Sequence, residues 1–183
     1  MDKHKTIFYN GELKGDSVIS KTTKVKNLVG VFADETQRSA LDQEQLVYEV
    51  QMHMPVADGT LGGLFFGITK LYAGKIGDEY YMTRGHFHKL EDRAEYYWGI
   101  AGEGMLVLMD RNRHTSVEHM YPGSLHYIPA HTAHRVVNTG DSLLVFGACW
   151  PSDAGHNYEE IEKHGFSARL FDVSGQLQIV QID

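Results

Sequence analysis

The chain has 183 residues, a formal net charge of −7 and 42% hydrophobic residues. That length and apolar content suit a single domain with a substantial core. The acidic balance argues against nucleic acid as a partner, because nucleic acid is bound through clustered Lys and Arg. No segment has the apolar length of a signal peptide or a membrane span, so a cytoplasmic protein is expected. The lone cysteine, Cys149, lies in an apolar run and is interpreted as a small buried hydrophobe.

A helix is the first predicted element, over residues 34–52. Asp34 and Gln37 resemble a capping pair, and the apolar residues that follow leave one apolar face. This helix would act as a lid or brace. The whole chain, residues 1–183, is expected to be a single domain. The helix lies in an N-terminal extension, residues 1–60, that is expected to pack on the barrel.

From residue 61 the pattern changes to short apolar and aromatic runs separated by Gly, Pro-Gly and Gly-Asp turns, which is typical of an antiparallel sandwich or barrel. Strands are predicted at 64–71, 79–83, 94–100, 104–109, 116–120, 124–128, 134–138 and 143–150. Eight strands suit an all-β jelly roll. A terminal hairpin, 168–172 with 176–182, completes the barrel region of residues 61–183.

A metal site is predicted from four residues. His86 and His88 alternate along an expected strand, so period-two geometry puts both imidazoles on one face. Glu95 begins the next strand, and its carboxylate returns to that side if the two strands pair antiparallel. His134 follows a Pro-led turn and adds a third imidazole. Three imidazoles and one carboxylate favour Fe(II), Mn(II), Ni(II) or Zn(II) over Ca(II).

The remaining polar residues near this motif, and most other histidines, are interpreted as structural. A lone histidine in a sheet is more often held by hydrogen bonds than by a metal. This interpretation covers His53, His114, His119, His126 and His164. Lys89 and Arg93, which lie between the ligands, are expected to be solvated.

The spacing around the four ligands is that of the two cupin motifs in order. The His-x-His pair is followed by Glu-x6-Gly, which ends at Gly102, and then by Gly-x5-Pro-x4-His-x3-Asn, which ends at Asn138. The stretches 83–95 and 150–158 indicate a particular family of cupins, because they resemble the corresponding stretches of the cupin-type glucose-6-phosphate isomerases. The similarity extends over about residues 31–180.

The resemblance implies a cupin barrel, a homodimer and the interconversion of glucose 6-phosphate with fructose 6-phosphate. It implies one divalent transition metal per chain, Fe(II) first, with Glu95 acting as acid/base group as well as ligand. An enediol route and a hydride shift both remain open. The residues it assigns to the substrate are Thr69, Thr83 and Gly85 near the phosphate, and Tyr97, His156 and Tyr158 along the pocket.

Two positions depart from the family pattern. His131 stands where cupins in general carry a glycine and the related isomerases a tyrosine, and Trp150 stands where a tyrosine is familiar. Substrate preference is the property these changes affect. The alternatives to the isomerase are another metal cupin, such as an Fe(II) dioxygenase or a different sugar-phosphate isomerase, and a non-catalytic sugar-binding cupin.

Overall fold

The structure, a computed structural model, describes residues 7–15 and 17–182 and is almost entirely β. Its strands are β1 (Ile7–Tyr9), β2 (Glu12–Lys14), β3 (Val18–Lys24), β4 (Leu46–His53), β5 (Leu64–Leu71), β6 (Lys75–Ile76), β7 (Glu79–Tyr80), β8 (Glu95–Ala101), β9 (Gly104–Met109), β10 (Thr115–Met120), β11 (Leu125–Ile128), β12 (Ala133–Val137), β13 (Leu144–Pro151), β14 (Ala168–Val173) and β15 (Gln176–Gln181). The described helices are a 3-10 turn, Val25–Leu28, and the α-helices α1 (Glu35–Ala40) and α2 (Glu159–His164). Within the described ranges there is no helix long and apolar enough to cross a membrane.

Two antiparallel sheets form the barrel. One runs β11-β8-β13-β5-β4-β3 and the other β10-β9-β12. Segment 82–86 extends the smaller sheet beyond β12 through the bridges Met82↔Val137 and His86↔His134. Apolar side chains from both sheets meet in one buried cluster that includes Leu106 and Phe146. This arrangement is the predicted jelly roll.

Alternate residues of the larger sheet point into the barrel, as the pleat requires. The strand register aligns them in rows that cross the sheet. One row joins Lys21, Val50, Thr69 and Phe146 on β3, β4, β5 and β13. These rows form the floor of the cavity described below.

The helix predicted over residues 34–52 is confirmed only at its start. Asp34 caps α1, since its Oδ1 accepts a hydrogen bond from the backbone N–H of Gln37 at 2.8 Å, but α1 ends at Ala40. The prediction was wrong for the second half, which is β4 and pairs with both β3 and β5. The sequence Leu46–His53 places Val and Tyr in a period-two pattern that favours a strand. The N-terminal extension therefore contributes two strands to the main sheet.

The other predicted elements differ less from the elements in the structure. The strand expected at 79–83 is shortened to β7 and a single bridge at Met82, and α2 was not predicted. β14 and β15 pair as a hairpin. The remaining barrel strands begin and end within two residues of the predicted positions.

Candidate metal centre and active site

The four predicted ligands converge inside the barrel. One ligand atom from each of His86, His88, Glu95 and His134 lies within 4.8 Å of the others. Backbone pairing fixes two of them relative to each other, because the N–H of His86 donates to the carbonyl of His134 at 3.3 Å and the N–H of His134 donates back at 3.1 Å. The two cupin motifs, almost fifty residues apart, are joined directly at this point.

The route by which Glu95 reaches the cluster differs from the prediction. The carboxylate was expected to reach the cluster on the condition that its strand, β8, pairs antiparallel with the strand that carries His86 and His88. Instead β8 pairs with β11 and β13 in the larger sheet. The two histidines lie on an extended segment at the edge of the smaller sheet, where His86 bridges to His134. The ligands therefore face one another across the barrel interior, not along one hairpin.

Gly85 makes the close approach of this segment to β12 possible. Its φ is +77°, a left-handed conformation that side chains rarely adopt. A Cβ at this position would lie 3.0 Å from the carbonyl oxygen of His134 and 2.6 Å from the Phe166 ring. Only glycine allows the backbone to adopt this conformation against β12, directly before the first ligand, His86.

The hydrogen bonds of His88 indicate a cation beside it. Its Nδ1 lies 2.9 Å from the carbonyl of Arg93, an oxygen that can only accept, so Nδ1 carries the proton. In a neutral imidazole Nε2 is then an acceptor, yet Nε2 lies 3.1 Å from Glu95 Oε1, another acceptor. Either a second proton or a metal ion resolves this contact. Burial opposes protonation of His88, but the hydrogen bond and charge of Glu95 outweigh it and raise the pKa.

His134 gives a second, independent indication. It is fully buried, and neither of its ring nitrogens has a hydrogen-bond partner among the described residues. Its Nε2 lies 2.7 Å from Glu95 Oε1, but the two atoms are not aligned as a hydrogen bond. A buried imidazole nitrogen without a partner is costly, so the arrangement fits a ligand aimed at a shared ion.

Glu95 supplies the negative charge of the cluster. Burial disfavours its ionised form, but the charges of His134 and His88 and the hydrogen bond with His88 outweigh burial and lower its pKa to about 2. A buried, ionised carboxylate needs a positive partner. Three imidazoles and this carboxylate fit a divalent transition metal, because Ca(II) prefers an all-oxygen shell.

A second segment closes the site beside the ligands. Phe87 and Asn157 exchange backbone hydrogen bonds of 3.1 and 2.8 Å. The neighbouring His156 ring lies 4.3 Å from the His86 ring between centroids, and Tyr158 stacks on His156 at 5.8 Å. Burial is the first cause of the lowered pKa of His156 and of the raised pKa of Tyr158.

Arg93 was expected to be solvated; its side chain is partly exposed, and it also forms an ion pair. Its Nε and Nη2 donate to the carboxylate of Asp153 at 2.9 and 2.8 Å. The same residue accepts the His88 hydrogen bond through its carbonyl. Arg93 thus connects the ligand segment to the segment that carries His156. Lys89 is exposed, as expected.

A cavity of about 260 Å³ opens onto the four ligands. All six residues that the family resemblance assigns to the substrate line it: Thr69, Thr83, Gly85, Tyr97, His156 and Tyr158. Sequence reasoning missed the residues contributed by β3 and β4, which are Lys21, Thr23, Tyr48, Val50 and Met52. Their period-two spacing was the available signal, but it lay partly inside the stretch interpreted as helix.

The two positions that depart from the family pattern have different surroundings. His131 is exposed and does not line the cavity; its φ of +61° explains why cupins in general use a glycine there. Trp150 does line the cavity. Its indole lies over Gly67, where a Cβ would be 3.0 Å from two ring atoms. Trp150 is therefore the departure that can affect a ligand in the cavity.

The protein is a jelly-roll barrel with three histidines and one glutamate clustered in its interior, and these four residues could hold a metal ion. This combination defines its class as a cupin. Residues 22–183 match the sequence profile of the family described as Glucose-6-phosphate isomerase (GPI). The chain belongs to this glucose-6-phosphate isomerase family, and it is an enzyme of that family.

Individual relatives agree with this assignment. The glucose-6-phosphate isomerase of Thermococcus kodakarensis is 39% identical over 158 residues, which cover 86% of this chain and 82% of that protein. The Pyrococcus horikoshii glucose-6-phosphate isomerase is 36% identical over 178 residues, 96% of this chain and 92% of that protein. A putative glucose-6-phosphate isomerase 1 of Rhizobium meliloti is 37% identical over 153 residues, 81% and 71% of the two chains.

Among solved structures, oxalate decarboxylase from Bacillus subtilis is similar to part of this chain. The match has a TM-score of 0.46 and 21% sequence identity, and it covers 60% of this chain and 26% of that one. The chain thus spans about a quarter of the length of that structure.

Proposed function

We propose that this enzyme interconverts glucose 6-phosphate and fructose 6-phosphate and depends on a divalent transition metal. The observation that carries the proposal is the convergence of four metal-ligating side chains on one cavity in a member of this family. Such a reaction would serve glycolysis and gluconeogenesis, so the compartment we propose is the cytoplasm.

The isomerisation moves hydrogen between adjacent carbons of an open-chain sugar. His86, His88, Glu95 and His134 would hold the metal, Fe(II) first with Mn(II), Ni(II) or Zn(II) as alternatives. When bound, it would supply Lewis-acid polarisation of the C1 and C2 oxygens. Glu95 is the proposed acid/base group, since its carboxylate is the acidic member of the cluster. A positioned general base contributes about 10²–10⁴-fold to rate.

Other residues would orient the sugar and its phosphate. Burial, followed by the charge of Glu95, raises the pKa of Tyr97 well above its ordinary range, so its hydroxyl stays protonated and can donate to a sugar oxygen. The Thr83 hydroxyl accepts from the Val136 N–H at 3.0 Å, which leaves its own proton available to a phosphate oxygen. Gly85 lets a phosphate approach the backbone. Thr69 faces the same cavity from β5.

The test is a coupled assay of the purified protein with fructose 6-phosphate, before and after chelation and metal refill. Isomerisation that is lost on chelation and restored by Fe(II) or another divalent ion supports the proposal. Turnover with no oxygen uptake under anaerobic conditions excludes the dioxygenase alternative. Sugar binding without turnover in the refilled protein favours a non-catalytic cupin and contradicts the proposal.

We also propose a homodimer. Tyr96 is 47% exposed on the outer face of β8, beside Leu125 and Tyr127 of β11, which are 67% and 53% exposed. The rings of Tyr96 and Tyr127 are 5.3 Å apart between centroids. An exposed aromatic patch of this kind suits a partner surface. Light scattering that gives the mass of one 20.7 kDa chain at micromolar concentration would contradict the dimer.

A further inference from the structure

We propose that Lys21 binds the phosphate group of the substrate and selects phosphorylated over free sugar, an inference that rests on the proposed function. Lys21 lies on β3, at the edge of the larger sheet, and it lines the cavity together with Thr23 of the same strand. Neither residue was singled out by the sequence motifs.

The strand register explains why Lys21 points into the cavity. Lys21 pairs with Val50, and Val50 pairs with Thr69, so the three residues form one row on the inner face of β3, β4 and β5. All three line the cavity. Thr22, the next residue on β3, is exposed and does not line the cavity, as expected for a side chain on the opposite face.

The charges of the cavity leave Lys21 available to an anion. The cationic side chains of Lys or Arg that line it are Lys21 and Arg84. Arg84 is already engaged, because its Nη1 donates to Glu162 Oε1 at 2.7 Å and its Nη2 donates to the carbonyl of Asn27. Within ranges 7–15 and 17–182, Lys21 makes no ion pair. The chain as a whole is acidic, so a dianionic substrate needs a local cation.

The position of Lys21 suits the geometry of a sugar phosphate. β3 lies four strands from β8 in the larger sheet, so Lys21 and Glu95 are contributed by well-separated strands of that sheet. The phosphate of a hexose 6-phosphate is at the far end of the carbon chain from C1 and C2. With C1 and C2 at the ligand cluster, the phosphate would lie away from Glu95, within reach of the cavity-lining residues Thr69 of β5, Thr83 of segment 82–86 and Lys21 of β3.

Three variants test the assignment. Lys21→Gln removes the ammonium. The double variant Lys21→Thr with Thr22→Lys keeps the net charge and moves the ammonium to the outer face of the same strand. Lys163→Gln, at an exposed position on α2 that does not line the cavity, changes net charge as Lys21→Gln does. Since Lys21 and Thr22 are exposed, all the variants should fold, and bound metal is measured in each.

The measurements are kcat and KM for fructose 6-phosphate, and calorimetric binding of inorganic phosphate to the metal-loaded protein. Losing a hydrogen bond to a charged group costs about tenfold or more in affinity. Lys21→Gln and the double variant should therefore raise KM and weaken phosphate binding about tenfold with kcat nearly unchanged, because the contact is the same in ground and transition state. For Lys163→Gln, both KM and phosphate affinity should stay within about twofold of the parent values.

The assignment is overturned if KM and phosphate affinity of Lys21→Gln and the double variant stay within twofold of the parent. It is also overturned if Lys163→Gln has an equal effect, because the cause is then net charge. Failure of the proposed function gives a different result. In that case the parent does not isomerise fructose 6-phosphate, whatever the phosphate affinities of the variants.

Discussion

The cavity has two sides that are built in different ways. The ligand side consists of segment 82–88 with Glu95 and His134. Three of its ligands, His88, Glu95 and His134, are buried, and backbone hydrogen bonds between His86 and His134 hold its segments together. The edge side consists of β3 and β4, and β3 is mostly exposed and is held in place by pairing with β4. A fixed ligand side suits chemistry, and an accessible edge side suits substrate selection.

The largest combined loss, of metal and of activity together, is expected from His134→Ala, which tests whether the ligand side carries the chemistry. Loss of an imidazole should release the metal, and with it several kcal/mol of transition-state stabilisation, about 10³-fold in kcat/KM. Elemental analysis and the isomerase assay measure both properties. His119→Ala is the matched control, because His119 is exposed and contacts Glu103 far from the cluster. A His134→Ala protein that binds metal like the parent would show that the site is wrongly assigned.

The next prediction separates the roles of two ligands. Glu95→Gln keeps the size and one oxygen donor but removes the base, so the protein should retain metal while kcat falls about 10²–10⁴-fold. His88→Ala should weaken metal affinity, and excess metal should restore part of the activity. The measurement is isomerase rate against metal concentration, with bound metal quantified in parallel. Parent-like turnover of fully metallated Glu95→Gln would argue for a metal-assisted hydride shift.

The same two sides explain what the sequence could predict. The ligand side depends on local patterns: His-x-His, a glutamate at the start of a strand, and a histidine after a Pro-led turn. These patterns named all four residues of the cluster, and the family resemblance added six that line the cavity. The sequence did not show how Glu95 reaches the cluster, because that depends on which strands β8 pairs with.

The edge side depends on long-range pairing, and there the prediction was wrong. Residues 34–40 have local helix signals, and the capping pair at Asp34 is present. β4 follows after only five residues, and the apolar residues of the two elements were combined into one helical face. Only pairing with β5 determines that Val50 faces the cavity. Lys21 and Thr23 were missed for the same reason, since their period-two spacing does not by itself show which face of the strand meets the cavity.

A third prediction concerns the boundary between the two sides, where Trp150 stands over Gly67. Gly67→Ala places a Cβ 3.0 Å from the indole and 3.4 Å from the carbonyl of Gln51, so the indole, which lines the cavity, must change its position. Such crowding typically costs about 1–3 kcal/mol, and KM for fructose 6-phosphate should rise about tenfold. Adding Trp150→Tyr should restore KM in part. A parent-like KM in Gly67→Ala would show that the indole does not limit the space for substrate.

The smallest effect is expected at the end of the edge side remote from the ligands. Glu44, just before β4, forms ion pairs with Lys24 at 2.7 Å and with Lys26, which connect β3 to β4. Hydrogen bonds from Lys24 and then Lys26 lower the pKa of Glu44 from 4.5 to about 2. A folded-state pKa below the unfolded value means that the carboxylate stabilises the fold above about pH 4.5 and loses this contribution as pH falls toward 2.

Glu44→Gln should therefore slightly lower the free energy of unfolding at pH 7, and the loss should become progressively smaller between pH 4.5 and 2. Because Glu44 is exposed, 1 M salt should reduce the difference in stability between parent and variant. Urea unfolding of parent and variant at pH 7 and pH 3 measures this difference in stability. Lys14→Gln is the control, because Lys14 forms another exposed ion pair, with Glu12. The ligand cluster is unchanged in these variants, so any loss of metal at low pH cancels in the comparison. A difference that is equal at pH 7 and pH 3 would mean that packing, not charge, connects β3 to β4, and the edge side would then be more rigid than its exposure indicates.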